Sequence, residues 1–198
     1  MKLEVKNLEK KFKNFTAVKN INFHIDNGQT LGVLGPNGCG KTTTIGMLLG
    51  LIKPSNGKIL IDDENFENLN REKILSQFNF ASPYVELPKK LTVKENLEIY
   101  GRLYGVKDLA RRIQEVSDDL NLSIFLNKKT GELSSGQKNR VSLAKSLINN
   151  PKILFLDEPT ASLDPDIGDF VRNYIEDYKN DELIPEITEM AGIMIENI

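Results

Sequence analysis

The chain has 198 residues, 39% of them hydrophobic and 27% charged, which suits one sizeable hydrophobic core with an added subdomain. Its 26 basic and 28 acidic residues nearly cancel, and this excludes the strong positive field that nucleic-acid binding requires. No apolar run approaches the roughly 20 residues that cross a bilayer, the first residues lack a signal-peptide pattern, and the single cysteine suits a reducing compartment, so we expect a cytoplasmic chain.

The first elements predicted along the chain are strands. Residues 3–6 alternate apolar and polar side chains, and residues 21–26 do so again around His24, the one histidine of the chain. This alternation is the pattern of a strand with one buried face. His24 is at a polar position of this alternation, so we predict that it is a structural residue on the outer face of its strand. Phe12 follows the first strand and, on pattern alone, would belong to the core.

Residues 35–42 read Gly-Pro-Asn-Gly-Cys-Gly-Lys-Thr, which is the phosphate-loop (Walker A) pattern G-x-x-x-x-G-K-[ST]. The apolar run at 30–34 predicts a strand before it, and apolar residues at helical spacing predict a helix that opens at Lys41. Glycines let backbone N–H groups turn inward and form an anion nest at a helix N-terminus. The pattern therefore predicts a nucleoside triphosphate site.

The polar residues of this loop have expected roles. Lys41 would place its ammonium between the β- and γ-phosphates, the Thr42 hydroxyl is a hard ligand that magnesium accepts, and Thr43 would bond the α-phosphate. The predicted phosphate-binding residues are Gly35, Pro36, Asn37, Gly38, Cys39, Gly40, Lys41, Thr42 and Thr43.

The middle of the chain predicts helices. Apolar stripes that begin at Val93 and Leu109 indicate a helical subdomain within about residues 92–149. Residues 133–137, Leu-Ser-Ser-Gly-Gln, precede a further helix, and hydroxyls with free N–H groups at a helix start form a second anion site. Two such elements in one chain indicate a composite site. An ordinary capped helix is the alternative, and it would explain Ser134 alone.

A second buried strand ends in two carboxylates. Residues 153–156 are an apolar run that Asp157 and Glu158 follow, which indicates a parallel strand reaching the ligand edge of its sheet. Successive side chains on a strand point in opposite directions, so the two acids are expected to have different roles. Asp157 would hold magnesium, directly or through water, and Glu158 would orient or deprotonate the attacking water.

Together these motifs resemble the ordered series of the ATP-binding cassette (ABC) ATPases. The series is Gly-Pro-Asn-Gly-Cys-Gly-Lys-Thr at 35–42, Leu-Ser-Ser-Gly-Gln at 133–137, Leu-Asp-Glu-Pro-Thr at 156–160 and Ala-Ser-Leu-Asp at 161–164. The resemblance covers residues 1–180 and is strongest to the ATP-binding subunit of a membrane transporter. It implies an α/β P-loop nucleoside triphosphate hydrolase fold with N-terminal antiparallel β strands, a parallel sheet core and the inserted helical subdomain, before an atypical tail at 181–198.

The resemblance also implies ligands and partners. ATP and Mg²⁺ would be the cofactors, with Lys41 and Glu158 catalytic and with Thr42 and Asp157 at the metal, while Phe12 would stack on adenine. The signature element would contact the γ-phosphate held by a second cassette subunit, in a homo- or heterodimer. The residues implied for this second half are Ser134, Ser135, Gly136 and Gln137, with Asp164 communicating across the dimer.

Three positions depart from the family pattern. Ser135 stands where the family has glycine. Ser82 or Pro83 stands where the family has a glutamine that touches magnesium and senses the membrane partner. The family also places a switch histidine at the end of a strand after the Asp164 loop, and His24 cannot fill that role.

The end of the chain predicts a helix in place of the family's further strand. Apolar residues recur at helical spacing after Pro185, a good first-turn residue. They are Ile187, Met190, Ala191, Met194 and Ile198. We interpret residues 181–198 as a truncated or replaced cassette end, whose missing strand would leave part of the parallel sheet uncovered. ATP binding is then expected to survive better than hydrolysis.

Three functions remain open at this point. The first is the ATPase subunit of an ABC transporter, a dimer associated with the membrane through a permease. The second is a degenerate or truncated cassette that binds ATP with weak or no hydrolysis. The third is a soluble, non-transport cassette protein, a class that usually shows tandem cassettes or long coiled coils, and this sequence contains neither.

Overall fold

Two four-stranded sheets form the frame of the computed structural model, which describes residues 1–82, 86–157 and, by backbone alone, 191–196. Pro83, Glu158 and Asp164 lie outside these residues. The strands are β1 Leu3–Phe12, β2 Phe15–Ile25, β3 Thr30–Leu34, β4 Asn56–Ile61, β5 Glu64–Asn65, β6 Phe78–Ala81, β7 Ile153–Asp157 and β8 Ala191–Glu196. The α-helices are α1 Lys41–Leu48, α2 Arg71–Leu75, α3 Val93–Leu103, α4 Leu109–Asp119 and α5 Ser135–Leu147.

The first sheet is antiparallel, with strand order β2-β1-β4-β5. Leu3 and Val5 are buried, as the alternation of the first strand predicts. His24 pairs with Glu4 and is exposed, so its predicted position on an outer face is confirmed. The predicted N-terminal antiparallel strands are therefore present.

The second sheet is parallel, with strand order β3-β8-β7-β6. Leu34 pairs with Glu196, Asp157 pairs with Ile195, and Ala81 pairs with Leu156. The carboxyl ends of β3, β7 and β6 therefore meet at one edge, where ligands bind in open sheets of this kind. The predicted parallel sheet core is confirmed.

Strand β8 corrects the prediction for the end of the chain. Residues 191–196 form a strand rather than a helix, and they fill the position between β3 and β7. The expected gap in the parallel sheet is therefore absent from this part of the structure. A short apolar run fits a buried parallel strand as well as a helix, and pairing along both edges decides in favour of the strand here.

Strand β7 separates two hydrophobic cores. Ile153 and Phe155 pack with α1 and the antiparallel sheet, whereas Leu154 and Leu156 pack with α3, α4 and α5. The apolar stripes predicted in the middle of the chain belong to this second core, in which Val93 is fully buried. Within the described ranges, no helix is long and apolar enough to span a bilayer.

Candidate nucleotide-binding site

The phosphate loop joins β3 to α1 at the carboxyl edge of the parallel sheet. Gly38 and Gly40 have φ angles of 83° and 97°, in the left-handed region that glycine favours. A Cβ atom on Gly40 would lie 2.3 Å from the carbonyl oxygen of Ala17, so only glycine fits there. Gly40 is also the N-cap of α1 and makes no side-chain cap. The first N–H groups of α1 are thus left for an anion to satisfy.

Lys41 lies inside this loop and is only 8% exposed. Its Nζ atom donates to the carbonyl oxygens of Gly35 at 2.5 Å and Pro36 at 3.1 Å, and it lies 3.9 Å from Sγ of Cys39. Because a phosphate oxygen is a stronger, charged acceptor, it would compete successfully with these carbonyls for the ammonium. The loop therefore holds its own cation close to where a polyphosphate would bind.

The three threonines after Lys41 differ in exposure. Thr42 is exposed, Thr43 is half-buried and Thr44 is buried. The Thr44 hydroxyl donates to the Gly40 carbonyl at 2.9 Å, so its polar group is satisfied within the first turn of α1. Sequence reasoning missed this contact, although the spacing of four residues from Gly40 is a signal for it. Thr42 keeps an exposed hydroxyl, as its predicted role at a metal requires.

A buried polar pair lies at the ends of β6 and β7. Ser82 is 4% exposed and Asp157 is 6% exposed. The Ser82 hydroxyl donates to Oδ2 of Asp157 at 3.5 Å. This contact follows from the register, because Ala81 pairs with Leu156 immediately before it. Sequence analysis placed Ser82 near the site but did not predict this contact.

The oxygen donors at this edge fit magnesium. Thr42 offers a hydroxyl and Asp157 a carboxylate, the hard donors that Mg²⁺ takes together with substrate phosphates. Across residues 1–82 and 86–157, no cluster of three or more His, Cys, Asp or Glu side chains could hold a metal ion by itself. Mg²⁺ commonly binds through one or two carboxylates together with substrate phosphates, and the oxygen donors of Thr42 and Asp157 are of that kind.

Phe12 is 45% exposed, so the expectation from pattern alone that it belongs to the core is wrong. It pairs with Phe15 in the turn between β1 and β2, and Nζ of Lys10 lies 4.9 Å from its ring centroid. A ring has two faces, and a base could stack on the face opposite the ammonium. Adenine stacking stays a prediction.

The signature residues form the start of α5. Ser134 is the N-cap: its hydroxyl accepts from the Gln137 N–H at 3.2 Å, and its own N–H donates to Oε1 of Gln137 at 3.0 Å. Ser134 and Ser135 are exposed, whereas Gly136 is buried. Helix α5 packs in the second core, whereas α1, which the phosphate loop precedes, packs in the first.

A polar network that sequence reasoning missed joins α5 to β6. The Lys145 ammonium donates to the carbonyl oxygen of Phe80 at 3.0 Å and to Oδ1 of Asn79 at 3.3 Å, and it lies 5.3 Å from the Tyr100 ring centroid. Burial lowers the pKa of Lys145 to about 8. Because Lys145 and Asn79 are 66 residues apart, no local pattern signals the contact.

Comparison with known proteins identifies the family. The sequence profile of the family described as ABC transporter matches residues 18–161. The probable multidrug ABC transporter ATP-binding protein YbhF of Escherichia coli K12 is 37% identical over 165 residues, which cover 82% of this chain and 28% of that protein. The ABC transporter ATP-binding protein NatA of Bacillus subtilis is 33% identical over 171 residues, which cover 84% of this chain and 68% of that protein.

Solved structures agree with the sequence comparison. The dimeric post-hydrolysis state of the ATP-binding cassette MJ0796, bound to ADP and Pi, has a TM-score of 0.84 and 27% identity, and the match covers 98% of this chain and 87% of that one. The chain spans from 28% to 68% of the length of the two curated relatives named above. The chain therefore belongs to the ABC transporter family and has the P-loop fold of its ATPase cassettes.

Proposed function

We propose that this chain binds MgATP in the loop at 35–42 and hydrolyses it as the ATP-binding subunit of an ABC transporter. The observation that carries the proposal is the buried Lys41 ammonium within a loop whose helix starts without a side-chain cap. Asp157 ends its strand at the same edge of the sheet. A cation, free N–H groups and a carboxylate at one edge suit a nucleotide with a divalent metal.

Binding would exchange one set of hydrogen bonds for another. The triphosphate would take the Lys41 ammonium from the carbonyls of Gly35 and Pro36 and would accept from the N–H groups that open α1. Thr42 and Asp157 would hold Mg²⁺, which when bound neutralises charge on the phosphates. These exchanges would fix the γ-phosphate for attack by water.

Hydrolysis would depend on Glu158, which follows Asp157 directly in the sequence. A carboxylate one residue beyond the metal-holding acid could orient the attacking water or accept its proton. Replacing this carboxylate by an amide is expected to slow phosphate release and to leave nucleotide binding in place.

A second cassette would complete the site. The signature residues 134–137 start α5, and that helix packs in the second hydrophobic core whereas α1 packs in the first. In this proposal they therefore serve the loop of a partner subunit, with Asp164 at the same junction. The MJ0796 cassette was solved as a dimer in its post-hydrolysis state. ATP held between two chains would then bind them together.

A membrane permease would place the chain at the cytoplasmic side of the membrane. The names of relatives include Nod factor export for a Burkholderia lata protein and spermidine/putrescine import for a Nitrosomonas europaea protein. Cassettes of one family thus serve opposite directions and different cargoes. We propose no cargo for this chain, because the permease carries that information.

One observation favours a second candidate, a cassette that binds ATP with weak hydrolysis. His24, the only histidine in the 198 residues, lies exposed on β2, which belongs to the antiparallel sheet, whereas β8 belongs to the parallel sheet. His24 therefore does not lie on the parallel sheet whose carboxyl edge carries the phosphate loop.

Nucleotide binding and phosphate release, measured on the same preparation, separate the two candidates. The ATPase candidate requires phosphate release that Glu158→Gln slows while ATP binding persists. The weak-hydrolysis candidate requires that the wild type binds ATP but releases phosphate no faster than Glu158→Gln does. A chain that folds but does not bind ATP would contradict both.

A further inference from the structure

We propose that Ser82 is a magnesium-site residue in this chain: its hydroxyl positions the Asp157 carboxylate and contributes an oxygen to the metal site. The proposal rests on the proposed MgATP binding and deepens it. It assigns a role at the metal to a position where the family resemblance implies a glutamine and this sequence has serine followed by proline.

The register of the sheet brings the two residues together. Ala81 pairs with Leu156 in the parallel ladder between β6 and β7, and Ser82 and Asp157 are the next position along both strands. Neighbouring strands lie about 4.8 Å apart, and laterally adjacent side chains share one face. A side chain as short as serine therefore reaches the carboxylate without the length of a glutamine.

Both partners of this contact are buried, so the Asp157 carboxylate needs a compensating donor or cation. Ser82 is 4% exposed and Asp157 is 6% exposed, so water has little access to either. A buried carboxylate is costly unless donors or a cation compensate its charge. The Ser82 hydroxyl supplies one such donor at 3.5 Å.

The chemistry of the hydroxyl allows both parts of the role. A serine hydroxyl has one proton to donate and two lone pairs to offer. It can donate to Asp157 and still present a lone pair to a cation or to a water bound to that cation.

The test measures the metal apart from the nucleotide. Mn²⁺ serves as the probe, titrated by electron paramagnetic resonance in the presence of the β,γ-imido analogue of ATP, and binding of the same analogue is measured separately in EDTA. We expect Ser82→Ala to weaken Mn²⁺ binding by about tenfold, the scale of a lost supporting residue at a metal. Analogue binding in EDTA should stay at the wild-type level.

Two further variants separate a metal role from a general loss of a buried hydroxyl. Ser82→Thr keeps the hydroxyl and should restore most of the Mn²⁺ affinity. Ser146→Ala removes a buried hydroxyl that donates to the Leu143 carbonyl at 2.7 Å within α5, and it should leave Mn²⁺ affinity unchanged.

Each remaining outcome counts against the proposal. Wild-type Mn²⁺ affinity in Ser82→Ala would overturn it, and so would an equal loss of analogue binding with and without metal, since that result indicates a purely structural residue. If the wild-type chain fails to bind the analogue at all, the proposed function itself is wrong. If wild-type binding is intact and Ser82→Ala is unchanged, only this inference is wrong.

Discussion

Helices α1 and α5 both begin at residues that the sequence associates with phosphate, yet the two helix starts are built differently. Helix α1 begins at Gly40, in the left-handed region and without a side-chain cap. Helix α5 begins with a reciprocal box between Ser134 and Gln137, which satisfies N–H groups from within the chain. An anion can therefore bind at α1 without displacing a cap, whereas at α5 the cap already satisfies the N–H groups of Ser134 and Gln137.

This difference indicates which of the two helix starts binds a nucleotide first. In the proposed function the phosphate loop is the primary nucleotide site, because it holds the Lys41 ammonium and the helix behind it starts without a side-chain cap. In the same proposal the signature helix is the secondary site. Its two serines are exposed, and its cap stabilises the helix in the absence of a partner. Changes at α1 should therefore affect binding by one chain, and changes at α5 should affect chiefly its stability and its association with a second chain.

The largest effect is expected from Gly40→Ala. A Cβ there meets the Ala17 carbonyl oxygen at 2.3 Å and is forced into a left-handed conformation, so the loop must move. Strain and displacement together should exceed about 3 kcal/mol, which corresponds to a loss of more than about 100-fold in ATP affinity. Equilibrium titration with a fluorescent ATP analogue measures the loss.

Gly38→Ala is the matched control, because it has a φ of 83° but nothing within 4 Å of its Cβ position. It should cost only the backbone strain of about 1 kcal/mol and less than about tenfold in affinity. Equal losses in the two variants would show that the close approach to Ala17 is unimportant.

A smaller effect is expected from Lys145, which ties the later part of α5 to β6. Its pKa in the folded chain is lowered to about 8 from 10.5 by burial, so between these values the unfolded chain binds more protons than the folded chain. The free energy of unfolding should therefore rise with pH in that window as the cost of burying the charge is relieved. Below about pH 8 both states are protonated and the slope from this residue vanishes.

Urea unfolding of the wild type and of Lys145→Met, followed from pH 7 to pH 9.5, isolates this contribution from other titrating groups. The stability of the wild type minus that of the variant should grow by roughly 1–2 kcal/mol above pH 8. A difference that does not change with pH would show that Lys145 keeps its ordinary proton affinity in the folded chain.

The smallest effect is expected from Ser134→Ala, which removes the cap of α5. Loss of an N-cap side chain costs about 1 kcal/mol, or about 2–4 °C in melting temperature for a chain of this size. ATP binding by a single chain should remain at the wild-type level, because α1, which follows the phosphate loop, packs in the other core. Calorimetry measures the melting temperature, and nucleotide titration measures the ATP affinity. A large loss of ATP affinity in Ser134→Ala would contradict the assignment of the phosphate loop as the primary site.

Local motifs accounted for much of the fold, and contacts distant in sequence accounted for what they missed. The strand, loop and helix around residues 30–48 and the apolar strand that ends in Asp157 were predictable, because each is a continuous pattern. Strand β8 was mispredicted because six apolar-rich residues fit two periods, and only pairing with β3 and β7 decides between them.

In the candidate site too, some residues were predictable from a local motif and others were not. The phosphate-binding residues follow from one motif, whereas the Ser82 to Asp157 contact spans 75 positions and the Lys145 to Asn79 contact spans 66. Such contacts depend on sheet register and helix packing, which no local pattern contains. The roles of Glu158 and Asp164 stay predictions from sequence.

The most direct test of the central claim, that the loop at 35–42 binds ATP through Lys41, is an equilibrium titration of the chain with a fluorescent ATP analogue. Lys41→Met should weaken binding by about 100-fold, as expected for loss of a charge-assisted contact with phosphate. Lys53→Met, at a side chain that is 84% exposed and paired with Glu67, should bind like the wild type. Equal affinity in the wild type and Lys41→Met would contradict the account.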